Sequence, residues 1–178
     1  MPTPHVLGID LSLTSTGLAG PGWTATIKPG ATLRGTARMS HVRTVLLDRY
    51  LNGLDLVALE GPSYGNQGTG RQAGHHERAG LWWVVRCMLD ARGHPVAVVP
   101  PATLKRYATG KGNASKADVV LAVGRRFPWF DGGEDEADAL VLAAMAADHL
   151  GHPLTPMPAA HRAALDAVQW PAVAEVAR

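Results

Sequence analysis

Four acidic residues in this 178-residue chain are placed where carboxylates could do joint chemistry: Asp10, Glu60, Asp135 and Asp138. Asp10 and Glu60 each sit near the far end of an apolar run. Asp135 and Asp138 are spaced i, i+3, so on a helix they share one face. Gathered in one place, such carboxylates repel one another unless cations lie between them. All-oxygen donors, with no His or Cys at ligand spacing, favour Mg²⁺ or Mn²⁺ over zinc. Two such ions, roughly 3.5–4 Å apart, can activate a water and stabilise the leaving oxygen of a phosphodiester. Taken singly, each acid has an ordinary structural reading. Asp10 suits a turn before Ser12 and Thr14, Glu60 could merely end a strand before Gly61-Pro62, and Asp135 and Asp138 suit a helix N-terminus.

The basic residues are unevenly distributed. Between Lys105 and Arg126 stand six of them (Lys105, Arg106, Lys111, Lys116, Arg125, Arg126) against one acid, Asp118, and an acidic knot follows at Asp131–Glu136. The segment Thr109–Asn113 is a glycine-rich loop whose backbone and Lys111 suit a DNA phosphate, a contact that positions without specifying sequence. It lacks the spacing of a nucleotide-binding phosphate loop and follows a helical turn, not a strand, so no nucleotide cofactor is assigned. His75-His76 are adjacent on a helix and point apart, which fits a solvated helix start better than a metal site.

The elements that must position these residues alternate in type. His5–Ser12 and Leu54–Glu60 read as strands buried on both faces. Leu18–Ala19 and Trp23–Lys28 complete a meander with the first of them. Thr36–Leu51 has helical spacing and ends at Asn52-Gly53. Glu77–Asp90 is a helix apolar nearly all round, Val96–Val99 a short strand and Pro100–Tyr107 a helical turn. Ser115 is an N-cap for a helix to about Phe127, and Glu136–Leu150 is an alanine-rich buried helix. The order βββ-α-β-α-β-α-α describes a mixed α/β domain. If the strands bearing Asp10 and Glu60 are parallel neighbours, both acids emerge at the same sheet edge, where ligands of open α/β sheets collect. Residues 1–150 form the domain; 151–178 read as a tail with a short helix, Ala159–Val168, on the same domain.

Four segments, GIDLSLTSTGLA (Gly8–Ala19), LVALEGP (Leu56–Pro62), PPATLKRYATGKGNASKADVV (Pro100–Val120) and DEADALVLA (Asp135–Ala143), resemble the RuvC family of Holliday-junction resolvases. These belong to the ribonuclease H-like superfamily, and the versions of bacterial viruses look most similar. The Gly-Ile-Asp opening is shared with many folds; the Thr-Gly-x-Gly-x-x-x-Lys segment followed by Asp-x-x-Asp-Ala-Leu is more specific. The resemblance implies a ribonuclease H-like fold with a mixed five-stranded sheet flanked by helices. It implies that Asp10, Glu60, Asp135 and Asp138 bind two Mg²⁺ ions, replaceable by Mn²⁺, and that Lys105 and Lys116 support catalysis and hold the phosphate backbone. It further implies a homodimeric endonuclease that cuts branched DNA (Holliday junctions, forks or flaps) and leaves 5′-phosphate and 3′-hydroxyl ends. Where the family's bacterial members carry an aromatic wedge three residues after the glutamate, this chain has Ser63, with Tyr64 next to it in a glycine-rich loop. Tyr64 there suits stacking on an unpaired base. The tail Gly151–Arg178 has no assigned counterpart.

Other features narrow the class. The chain is 46% apolar and 18% charged, with net charge +2 and a pI near 8.9, which permits a nucleic-acid partner without demanding one. No apolar run reaches the ~20 residues of a membrane span, and Met1–His5 lack the basic and apolar regions expected of a signal peptide. One cysteine, Cys87, excludes a disulfide framework, and the setting is read as cytoplasmic. Trp82 and Trp83 lie about 100° apart on a helix and cannot both face one core. Residues Leu81–Leu89, with Trp82 and Leu89 foremost, are therefore read as part of a two-fold interface. Two rival functions remain: a ribonuclease H-like nuclease on RNA or RNA–DNA hybrids, and a non-catalytic junction-binding protein. An actin-like ATPase needs a duplicated domain, for which this chain is too short.

Overall fold

The computed structural model describes residues 3–62 and 74–172. Five strands form one sheet: β1 (Val6–Asp10), β2 (Thr16–Gly20), β3 (Trp23–Ile27), β4 (Leu56–Glu60) and β5 (Val96–Val99), in spatial order β3-β2-β1-β4-β5. The β1-β2-β3 meander is antiparallel, while β1–β4 and β4–β5 are parallel. The parallel pairs are joined through helices, as a parallel connection requires: α1 (Gly35–Arg49) precedes β4 and α2 (His75–Ala91) precedes β5. Then come α3 (Pro101–Thr109), α4 (Lys116–Arg126) and α5 (Glu134–His149), followed by a short α6 (Ala159–Arg162) and a 3₁₀ turn, Ala163–Ala167. The anticipated order and mixed sheet are both present. The helical turn expected over Pro100–Tyr107 is the full helix α3, with Pro100 as its extended cap and Pro101 at its first position, where a missing N–H costs nothing.

Strand pleating sorts the core into two layers. Leu7 and Ile9 of β1, with Val57 and Leu59 of β4, face α1 and α2, where Val42, Leu46, Leu81 and Val85 close over them. Val6, Leu56 and Ala58 face the opposite way, into a core shared with α3, α4 and α5. Asp10 continues the 6, 8, 10 series and Glu60 the 56, 58, 60 series. Both acids therefore belong to the α5 side of the sheet.

Helix α5 is the central element of that side, buried continuously from Ala137 to Asp148. It lies almost on the sheet backbone. A Cβ on Gly8 would come 2.0 Å from the Ala139 carbonyl oxygen, and one on Gly17 would come 1.9 Å from that of Asp135. The absence of side chains at these two positions lets the start of α5 settle against the ends of β1 and β2. Among the described residues no helix is long and apolar enough to cross a membrane.

Candidate metal centre

Asp10 ends β1, and Glu60 ends the parallel neighbour β4, one step beyond the Ile9–Leu59 pair. A hydroxyl-lined turn fixes the chain after Asp10: Thr16 Oγ1 donates to the Ser12 carbonyl at 2.8 Å and accepts from the Ser12 N–H at 3.2 Å. Glu60 is held from behind by Trp82, whose indole Nε1–H donates to the Glu60 carbonyl oxygen at 2.9 Å. Asp138 reaches the same place from the second turn of α5 and is 7% exposed. Asp135 stands one turn earlier, its backbone against Gly17.

The acids of the knot before α5 are divided among different tasks. Glu136 accepts from the Gly133 N–H at 2.7 Å and so caps the helix start. Glu134 forms an exposed ion pair with Lys116 at 3.7 Å. Asp135 and Asp138 are left for the cluster.

The electrostatics mark a site with more negative charge than the protein itself balances. Glu60 is pushed up to about 9, first by burial, then by the Asp10 charge and by a hydrogen bond with the Asp10 carboxyl. Asp138 is pushed up to about 7 by burial and by Asp10, against the pull of Lys116 and Lys105. Burial is also the largest influence on Asp10 and raises it; Asp135 adds to the rise, while the Glu60 hydrogen bond and Lys116 oppose it. Burial lowers Lys116, but Asp138, Asp10, Asp135 and Glu134 together outweigh it, and the net shift is upward. Two carboxyls that share a hydrogen bond must share a proton between them.

Among the described residues no three or more His, Cys, Asp or Glu side chains form a ready-made metal cage. The donor set is nevertheless chemically suited to a hard cation: oxygen only, mostly buried, and retaining protons for want of positive charge.

The other anticipated residues are placed as follows. Lys116 opens α4, beyond the Ser115 cap, whose Oγ accepts from the Asp118 N–H while Asp118 Oδ2 accepts from the Ser115 N–H. Lys105 projects from α3 near enough to act on Asp138. Lys111 is exposed in the loop between the two helices. Tyr64 lies outside the described residues.

Two residues read as interface are corrected. Leu89 is 0% exposed and belongs to the core beneath the sheet. Trp82 turns inward onto Glu60, and it is Trp83, at 61% exposure, that faces outward, with Val84 and Cys87 also exposed. The 100° offset correctly separates the two indoles, but the spacing alone cannot say which one faces inward; the Glu60 carbonyl at the strand end selects Trp82. Sequence reasoning missed this support for Glu60, as well as the close approaches at Gly8 and Gly17. For the latter, a glycine inside each of two apolar strands was the available signal.

No protein-family model matches the chain. Solved structures do. A RuvC structure from Thermus thermophilus matches with TM-score 0.61 at 22% identity, over 83% of this chain and 97% of that one. A T. thermophilus RuvC in complex with a Holliday-junction substrate matches with TM-score 0.60 at 23% identity, over 84% of this chain and 97% of that one. The yeast mitochondrial Holliday-junction resolvase matches with TM-score 0.53 at 14% identity, over 93% of this chain and 82% of that one. A meander of three strands, two parallel neighbours added at one edge and a helix pressed on the strand ends thus make up, in this chain, the same fold as the RuvC structures.

Proposed function

We propose that this protein is a divalent-metal-dependent endonuclease that hydrolyses phosphodiester bonds in branched DNA. The observation that carries the reading is the convergence of Asp10, Glu60 and Asp138, with Asp135 beside them, at one sheet edge where Lys116 and Lys105 supply too little positive charge. The likeness to a RuvC structure bound to a Holliday junction supports branched DNA as the substrate class over an RNA–DNA hybrid.

Asp10, Glu60, Asp135 and Asp138 would hold Mg²⁺ ions, two for each site, with Mn²⁺ able to replace them. Bound there, the metal supplies a water activated at neutral pH and stabilises negative charge on the phosphate. The protein's own contribution is to hold the four acids on opposed, rigid elements, strand ends below and α5 above, so that little rearrangement is needed. Lys116 and Lys105 offset phosphate charge at the same edge. Lys111, exposed in the loop, extends the basic surface and makes affinity salt-dependent. Hydrolysis leaves 5′-phosphate and 3′-hydroxyl ends. The outward face of α2 around Trp83 is suited to pairing two copies, which would set two such sites on one junction.

The test is a matched panel of four-way, three-way, flap, linear and RNA–DNA hybrid substrates with Mg²⁺ or Mn²⁺. Cleavage of branched DNA by the wild type, lost in Asp10→Asn while junction binding persists, is the expected result. Full cutting by Asp10→Asn overturns the metal site. Junction binding by the wild type without cleavage in either metal leaves a non-catalytic binding protein, and preference for the hybrid replaces the substrate class.

A further inference from the structure

The chain after α5 returns to the core and seals it: Ala164 and Val168 are buried with α3, α4 and α5. Trp170 stacks flat on His149, ring centroids 4.2 Å apart, and its Nε1–H donates to the Leu165 carbonyl at 3.0 Å. Sealing alone does not explain the polar contacts of α6. The Asp148 carboxylate, fully buried, accepts from the Tyr107 hydroxyl at 3.0 Å and from Arg162 Nε at 3.0 Å, both at Oδ2. Arg162 Nη2 lies 2.7 Å from Oδ1, an ion-pair contact without the alignment of a hydrogen bond. His161 Nδ1 is 3.0 Å from the Tyr107 carbonyl oxygen. Nδ1 also lies 3.4 Å from Arg126 Nη2. The carbonyl can only accept and the guanidinium only donate, so the hydrogen bond to Tyr107, the shorter contact, requires the tautomer with the proton on Nδ1. A Cβ on Gly110 would come 3.0 Å from His161 Nε2.

These contacts converge on the last turn of α3 and the residue after it. The final carbonyls of a helix have no partner within the helix. Here the Tyr107 carbonyl is taken by His161 from α6, and the Ala108 carbonyl by Arg126 Nη1 from α4 at 2.7 Å. The clamped turn lies between Lys105 on one side and the Gly110–Ala114 loop leading to Lys116 on the other. Both lysines act on Asp138.

We propose that His161 and Arg162 are positioning residues: through Tyr107 and Asp148 they lock the end of α3, so that Lys105 and Lys116 are held against the acid cluster before DNA arrives. This rests on the nuclease reading above. The RuvC structures are matched over 97% of their length by 83–84% of this chain, so the shared fold does not require every element found here.

The test compares Arg162→Gln, Arg162→Lys and His161→Ala with Trp170→Ala, which loosens the same tail away from α3. Arg162 is half exposed (50%), so its loss leaves the core filled. Three quantities are measured: the melting temperature, hydrogen exchange of the backbone amides from Gly110 to Lys116, and the single-turnover rate on a four-way junction at saturating protein with Mg²⁺. Exchange in that segment is expected to quicken about tenfold in Arg162→Gln and His161→Ala, as for a locally released element. The rate falls about tenfold with junction affinity little changed, the pattern of misplaced groups, and Arg162→Lys recovers most of it. Trp170→Ala lowers the melting temperature comparably but leaves exchange and rate near wild type. Wild-type exchange in both Arg162→Gln and His161→Ala overturns the clamp, and so does equal loosening by Trp170→Ala. Should the wild type cut no DNA, the nuclease reading fails on that result alone, and the exchange data still decide the clamp.

Discussion

The indole N–H of Trp82 donates to the carbonyl oxygen of Glu60 at 2.9 Å, tying the helix that follows the glutamate-bearing strand to the end of that strand. The bond acts on the backbone of the very residue whose side chain enters the cluster. Trp82→Phe keeps most of the packing and removes the donor. A loss of about 1 kcal/mol in denaturant unfolding is expected from a missing hydrogen bond of this kind. A weaker apparent Mg²⁺ affinity in cleavage should accompany it. Unchanged Mg²⁺ dependence would show that Glu60 needs no such support.

The pH dependence of stability should report the acid cluster directly. Glu60 rises from 4.5 to about 9 on folding. Between those values the folded state binds more protons than the unfolded state, so stability falls as pH rises through this window. In EDTA the melting temperature should therefore drop from pH 5 towards pH 9 more steeply for the wild type than for Glu60→Gln. Mg²⁺ should flatten the wild-type curve, because a cation favours the ionised carboxylates. Parallel wild-type and Glu60→Gln curves would rule out a strongly raised Glu60.

Gly17→Ala should be costly for a strand substitution. Its Cβ would meet the Asp135 carbonyl at 1.9 Å, and that neighbour is helix backbone. Overpacking of this sort costs about 1–3 kcal/mol, and relief requires the start of α5 to lift, carrying Asp135 and Asp138 with it. Unfolding and cleavage measured together should both decline. Full activity in a merely destabilised protein would mean that α5 yields elsewhere.

Trp83, not Trp82, is the indole available to a partner. Light scattering of Trp83→Glu should show a smaller particle than the wild type if the α2 face joins two copies. A monomeric wild type would remove α2 from any account of assembly.

Much of this arrangement was legible from pattern. The apolar runs carrying Asp10 and Glu60 announced buried strands, while their parallel pairing, only a condition of the sequence reading, is supplied by the structure. The i, i+3 spacing put Asp135 and Asp138 on one face, and Ser115 announced the start of α4. What was not legible depends on tertiary contact. Leu89 and Trp82 lie on a helix apolar nearly all round, so periodicity could not tell its buried stripe from its exposed one. The clamp on α3 joins Tyr107 to Asp148, Arg162 and His161, residues 41 or more positions from Tyr107 in the chain. Neither Asp148 nor Arg162 sits in a spacing that signals the other, and only the return of the chain over α3 brings them together.

The alternation that sets Asp10 and Glu60 on the α5 side also imposes a rule of parity on this protein. Adding or deleting one residue within Val6–Ile9, with the sheet register kept, would turn Asp10 towards α1 and α2 and bury a lone carboxylate among leucines. Two residues would restore its direction. A single-residue length change in either acid-bearing strand would thus misdirect its carboxylate, whereas the connections can change length without turning either acid.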